Sequence, residues 1–115
     1  MNMTININDI EIKIKLLNYD TIFAQATLII CHDIEIKGWK VLKSNRPHKY
    51  LNAYVWIQAP SIKAGSSWKE TVFINNESLY REVETKVYEK YLEEKERQGF
   101  TFTEEDERKI EEISL

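Results

Sequence analysis

The chain has 115 residues, 43% hydrophobic and 30% charged, with a formal net charge of -3. Such a length fits one domain, and such a composition fits a folded chain rather than a disordered one. Three glycines, two prolines and a single cysteine, Cys31, exclude a collagen-like or glycine-loop-rich chain, an internal disulfide framework and a zinc site built on cysteine pairs.

Apolar and polar residues alternate from Thr4 to Leu16. Ile5 and Ile7 keep one phase and Ile10, Ile12, Ile14 and Leu16 the other, so the slip at Asn8-Asp9 predicts a bulge or a frayed start before a half-buried strand. Asn18-Tyr19-Asp20 is a turn signal. Thr21 to Cys31 reads as a second strand, and the short connection makes the two an antiparallel hairpin. A third strand, Ile34 to Leu42, is predicted with a kink at Gly38. Lys43 to Tyr50 reads as a basic loop, Leu51 to Ala59 as a fourth strand, Ser61 to Ser67 as a second loop, and Glu70 to Ile74 as a fifth strand.

Asn75-Asn76 offers a helix N-cap with Glu77 in the first turn. From Glu77 to about Arg97 helix formers dominate, and Gly99 is the expected stop. Thr103-Glu104-Glu105-Asp106 looks like the start of a short acidic helix. The expectation is an α+β fold: a curved antiparallel sheet of about five strands, a long helix and a short acidic one. Residues 1–98 form the domain and residues 99–115 an acidic extension.

At roughly 100° per residue, Leu79, Tyr80, Val83, Val87 and Tyr91 share one sector of the long helix, and Tyr88 and Leu92 widen it to roughly 220°. That exceeds what one core face requires. The excess predicts that the helix meets a second surface, with a homodimer through Tyr88 and Leu92 as the simplest answer and cover by Phe100 and Phe102 as the alternative.

Charge divides along the chain. Residues 1–70 carry nine Lys and Arg against six acids, and residues 71–115 seven against thirteen. Between Lys37 and Lys69 lie seven cations and no acid, together with Trp39, Trp56 and Trp68. Basic groups interleaved with aromatics are what a phosphate backbone with stackable bases requires. The competing reading is solvated lysines around core aromatics. The residues expected to hold nucleic acid are Lys40, Lys43, Arg46 and Lys49 with Tyr50 in and before the first loop, and Lys63, Trp68 and Lys69 around the second. If both loops lie at one end of the sheet, their charges converge.

No catalytic constellation stands out. His32 and Asp33 are neighbours on a strand pattern and point apart. His48 reads as exposed, Cys31 as a buried thiol, and His32 as a structural hydrogen-bonding residue. No metal-ligand spacing or glycine-rich phosphate loop is present, so no enzyme, cofactor, metal or small-molecule substrate is expected. No stretch approaches the ~20 apolar residues of a membrane span. With no basic-then-apolar leader, a cytoplasmic chain without membrane contact is expected.

The order of several motifs resembles the stage V sporulation protein G (SpoVG) septation regulators. The resemblance begins at Ala24-Gln25-Ala26-Thr27-Leu28. It continues through His32-Asp33-Ile34-Glu35-Ile36 and then Tyr54-Val55-Trp56-Ile57-Gln58-Ala59-Pro60-Ser61. It ends at Glu70-Thr71-Val72-Phe73-Ile74-Asn75 leading into a helix, and covers about residues 5–92. It implies a dimerising α+β domain that binds DNA or RNA without catalysis, in septation and sporulation control. Ala59 stands where the family usually has Met, and Lys43 to Asn52 forms a different, more basic loop. Glu93 to Glu112 is acidic where the family often supplies basic residues for DNA. Two expectations follow: a dimeric nucleic-acid-binding regulator whose contacts have moved to the basic loops, or a protein-interaction module on the same scaffold.

Overall fold

The computed structural model describes the backbone of residues 5–17 and 19–114, and the side chains of residues 5–17 and 19–98. It is an α+β arrangement of six strands in two antiparallel sheets, followed by one long helix. Strands β1 (Ile10–Leu16), β2 (Ile22–Ile30), β3 (Ile34–Lys43) and β4 (Val55–Gln58) form a four-stranded meander in sequence order. Strands β5 (Ser61–Ala64) and β6 (Ser67–Glu70) form a separate hairpin, and α1 runs Glu77–Ser114.

The phase slip near the start has a local cause. Ile7–Asp9 is a single 3-10 turn. The Asn6 side chain accepts from Asn8 N, and the Asp9 carboxylate accepts from Asn6 N at 2.9 Å, so the turn caps itself before β1 begins. The turn signal at Asn18-Tyr19-Asp20 lies partly outside the described residues, because Asn18 is not among them.

The β2–β3 connection is tighter than the alternation implied. Cys31 and His32 are exposed turn residues at φ 52° and 63°, and Asp33 N donates to Ile30 O at 3.0 Å. Two central residues with positive φ match the twist of the flanking strands, as in a type I′ turn. Cys31 is thus not a buried strand thiol, nor His32 a strand residue. Asn and Gly adopt this backbone region more readily than the Cys and His that stand here. Replacing Cys31-His32 with Asn-Gly is expected to stabilise the fold by about 1 kcal/mol. A urea melt checks this, and an unchanged midpoint would contradict it.

Gly38 is the kink expected in β3. Two residues of β3, Lys37 and Gly38, stand opposite Thr27 alone, which makes a bulge. Gly38 has φ 100°, and a Cβ there would lie 3.3 Å from Pro60 Cβ. The bulge therefore needs glycine for its backbone angle and for the approach of the chain leaving β4. A second bulge leaves Phe23 of β2 without a partner on β3. Its ring stacks on Tyr91 of α1 at 6.2 Å between centroids.

One face of the meander is the core. Ile10, Ile12, Ala24, Ala26, Leu28, Trp39, Val41 and Ile57 are buried there beneath Val83, Val87 and Tyr91 of α1. Asn76 caps the helix, its Oδ1 accepting from Leu79 N at 3.1 Å. The Lys86 ammonium, which the helical wheel leaves outside the apolar sector, instead donates to the carbonyls of Ile7 and Ile10 and ties α1 to the capped turn.

The remaining differences follow from length and position. The expected fourth strand is shorter, because residues 51–54 belong to the loop. The expected loop at Ser61 to Ser67 is mostly hairpin, and the expected fifth strand ends at Glu70, beyond which the chain runs without strand pairing to the helix. Gly99 does not stop α1, which continues to Ser114 with no separate second helix. Glycine costs a helix only about 1 kcal/mol. The side chains of the acidic extension, including Phe100 and Phe102, lie outside the described residues. Among the described residues no helix is long and apolar enough to cross a membrane.

Candidate nucleic-acid interface

The face of the meander opposite α1 follows from strand register. Directly opposed residues point to the same side of a sheet. Lys15 stands opposite Gln25, Gln25 opposite Lys40, and Lys40 opposite Gln58, which makes one polar row across all four strands. Beside it, Ile22, Leu42 and Trp56 form the next row. Lys13 and Thr27 extend the polar surface away from the first hairpin turn, toward the β2–β3 connection. Trp56 is 49% exposed and Trp68 60% exposed. Tryptophans usually lose most of their surface on folding, so two open indoles on one small domain are informative.

The β5–β6 hairpin completes this surface. The Lys40 ammonium lies over the Trp68 ring, 5.9 Å from its centroid. Lys63 stands opposite Trp68 in the hairpin register, so these two share a side. Lys69 pairs with Ile62 and lies on the hairpin's other side. Lys40, Lys63 and Trp68 therefore form one basic and aromatic cluster.

The first loop forms a second cluster. It leaves the opposite end of β4 from the hairpin, so the two basic loops do not meet at one end of the sheet. The loop is ordered by its own hydrogen bonds: Arg46 N to Ser44 Oγ, Ser44 N to Tyr54 O, and His48 N to Ala53 O. Arg46 and Lys49 line a cleft of about 390 Å³ with Trp56 of β4 and Tyr80 and Arg81 of α1. Lys43 ends β3 opposite Val55 and is exposed.

Tyr50 and His48 have a different placement from the one the sequence implied. Glu84 of α1 is 6% exposed. Its carboxylate accepts from the Tyr50 hydroxyl and, at 3.2 Å, from His48 Nε2. Tyr50 N lies 3.4 Å from His48 Nδ1 as its donor, which leaves Nε2 to carry the proton directed at Glu84. The two rings meet edge to face at 4.5 Å, and the Arg81 guanidinium lies 5.6 Å from the centre of the Tyr50 ring. Burial, then the hydrogen bond and charge of Glu84, hold the Tyr50 phenol well above its ordinary range. The Tyr80 phenol is also pushed up, by burial first and then by the nearby charges of Glu84 and Glu70. Tyr50 thus anchors the loop to the helix, and His48 is nearly buried rather than exposed.

Of the two residues expected at a dimer interface, Tyr88 packs against the core beside Tyr91, at 6.1 Å between ring centroids. Leu92 is 41% exposed. Most of the wide apolar sector is therefore used by the chain's own sheet.

Strand alternation alone did not bring Lys15, Gln25, Trp56 and Gln58 into the set, although their even spacing on β1, β2 and β4 was the available signal. Glu84 also had one. It lies four residues after Tyr80, three before Val87 and four before Tyr88, which places an acid inside the apolar sector. No family model, curated protein or solved structure matches the chain.

Proposed function

We propose that the protein is a non-enzymatic, SpoVG-like regulator that binds single-stranded DNA or RNA along the open sheet face and the β4 edge. The observation that carries this reading is the pair of exposed tryptophans, Trp56 and Trp68, set among Lys15, Lys40 and Lys63 with Gln25 and Gln58 between them. Aromatic platforms with flanking cations bind single strands because every base has a stackable face. Gln side chains can both donate to and accept from base edges. Arg46 and Lys49 lie at the far end of β4, and Lys43 at the end of β3 beside them. A four-residue strand spans about 13 Å, so a short single strand can reach from the hairpin cluster to the loop cluster.

Fluorescence anisotropy of a labelled oligothymidylate tests this reading. Trp68→Ala is expected to weaken binding by about 1–3 kcal/mol, the worth of one stacked base, while leaving the melt unchanged. If the wild type bound no oligonucleotide at low salt, the protein-interaction reading would replace this one.

The same reading includes a homodimer, as the family resemblance implies, acting in the cytoplasm. Among the described side chains of α1, Leu92 is the exposed apolar residue through which the dimer would form. Leu92→Glu should lower the mass seen by light scattering from dimer to monomer without unfolding the chain. A wild type that stays monomeric at high concentration would remove dimerisation from the account.

A further inference from the structure

Three residues that lead into and through β4 pack toward the core: Ala53, Val55 and Ile57. The residues between them turn the other way, with Tyr54 63% and Trp56 49% exposed. Tyr54 O accepts from Ser44 N at 3.2 Å, which carries the β3–β4 pairing one step past Lys43 and Val55 and holds the Tyr54 backbone against β3. Among the described residues the Tyr54 side chain makes no hydrogen bond or ring contact. Cations flank the two rings. Arg46 and Lys49 line the cleft beside Val55 and Trp56, and Lys40 stands opposite Gln58 at the other end of β4.

The spacing of the two rings carries the second observation. Residues two apart on an extended chain lie about 7 Å apart, and their side chains stand roughly perpendicular to it. Successive bases along one strand of a duplex repeat every ~3.4 Å. The Tyr54–Trp56 step is therefore about twice the stacked repeat. Bases that rest on both rings must be unstacked from each other, which a single strand allows and an intact duplex does not.

We propose that Tyr54 and Trp56 hold two consecutive bases, one on each ring, and that this step selects single-stranded over double-stranded nucleic acid. The proposal rests on the single-strand reading of the open face and adds Tyr54 to it as a binding residue. Charge alone does not make the selection, because the lysines and arginines attract the phosphates of either form. The flanking cations hold the backbone, Arg46 and Lys49 on the Tyr54 side and Lys40 on the Gln58 side, while the two rings accept only bases whose faces are open.

Anisotropy titrations of the full chain at low salt test this with a labelled oligothymidylate and a labelled duplex of the same phosphate count. Tyr54→Ala should weaken the single strand roughly five- to thirtyfold, the lower part of the range for one stacked base because a phenol is smaller than an indole. Duplex affinity and the melt should stay unchanged. Tyr54→Phe keeps the ring and should keep the single-strand affinity. In wild-type spectra the Tyr54 ring protons should move upfield in a saturable way as the single strand is added, as protons under a stacked base do. A Tyr54→Ala variant that binds the single strand as well as wild type, a Tyr54→Phe variant that loses as much as Tyr54→Ala, or equal losses for single strand and duplex would overturn the proposal. If Trp68→Ala weakens binding and Tyr54→Ala does not, the open-face reading stands and the Tyr54 step alone is removed. A wild type that binds no oligonucleotide removes both.

Discussion

Replacing Glu84 with Ala is expected to destabilise the protein by about 2–3 kcal/mol and to free the loop that carries Arg46 and Lys49. The carboxylate is buried and is the acceptor for both the Tyr50 hydroxyl and His48 Nε2, so its removal leaves two donors unpaired. Both lie at the edge of a cleft and can recover water in part, which keeps the loss below that of a fully enclosed pair. Glu84→Gln keeps a carbonyl acceptor and should cost less than half as much. Chemical denaturation of the three proteins checks the order. An alanine variant as stable as wild type would mean that the network does not hold the loop.

The same network sets a pH dependence. An unfolded tyrosine loses its proton near pH 10, whereas folded Tyr50 keeps its proton to higher pH. Above about pH 10 the unfolded chain binds fewer protons than the folded one, so stability falls as pH rises. Below pH 10 the contribution is fully present. Tyr50→Phe should flatten the alkaline fall between pH 10 and 11, in melts followed by circular dichroism. Tyr80 and Tyr91, also pushed up by burial first, leave a residual slope in that variant.

Reversing charge on the open face should cost more binding than any single aromatic change. Lys15→Glu with Lys40→Glu replaces two attractive contacts by two repulsive ones beside Trp68. Affinity for single-stranded oligonucleotide at low salt is expected to fall at least a hundredfold. Each phosphate contact on a single strand contributes about 0.7 to the slope of log affinity against log salt, so the double variant should lose about 1.4 of that slope. Arg46→Glu with Lys49→Glu tests the loop cluster separately and should weaken binding less, because these cations flank the platform rather than lie on it. Anisotropy titrations across a salt series read both. Equal affinity in all three proteins would show that neither cluster carries phosphate.

How much of this was visible in the sequence depends on the range of the interaction. Alternation over Ile10 to Leu16 places β1 correctly because one face is buried and the other wet, a signal contained within seven residues. Gly38 announces its bulge because glycine serves a backbone angle that other residues resist. The β5–β6 hairpin looks mostly like a loop in the sequence because its four-residue strands are largely exposed and lack an apolar face. The Tyr50–Glu84 contact joins residues 34 apart and has no local signature at the Tyr50 end. In sequence Tyr50 therefore has the character of a stacking residue in a basic loop, and only the helix beneath it supplies its partner. The basic run from Lys37 to Lys69 was visible as composition, yet only the register of β3 with β2 and β4 brings Lys40 into line with Gln25 and Gln58. Trp39, Trp56 and Trp68 were indistinguishable as letters, and burial separates the first from the other two.

That separation supplies the most direct measurement. The three indole N–H groups give separate proton–nitrogen correlation peaks, and one titration with a short oligothymidylate at low salt reads them together. The expected result is saturable movement of the Trp56 and Trp68 indole signals with Trp39 unmoved, because the first two lie on the open surface and Trp39 lies in the core. Three unmoved indoles at saturating oligonucleotide, or movement of Trp39 alone, would contradict a nucleic-acid surface on this face of the sheet.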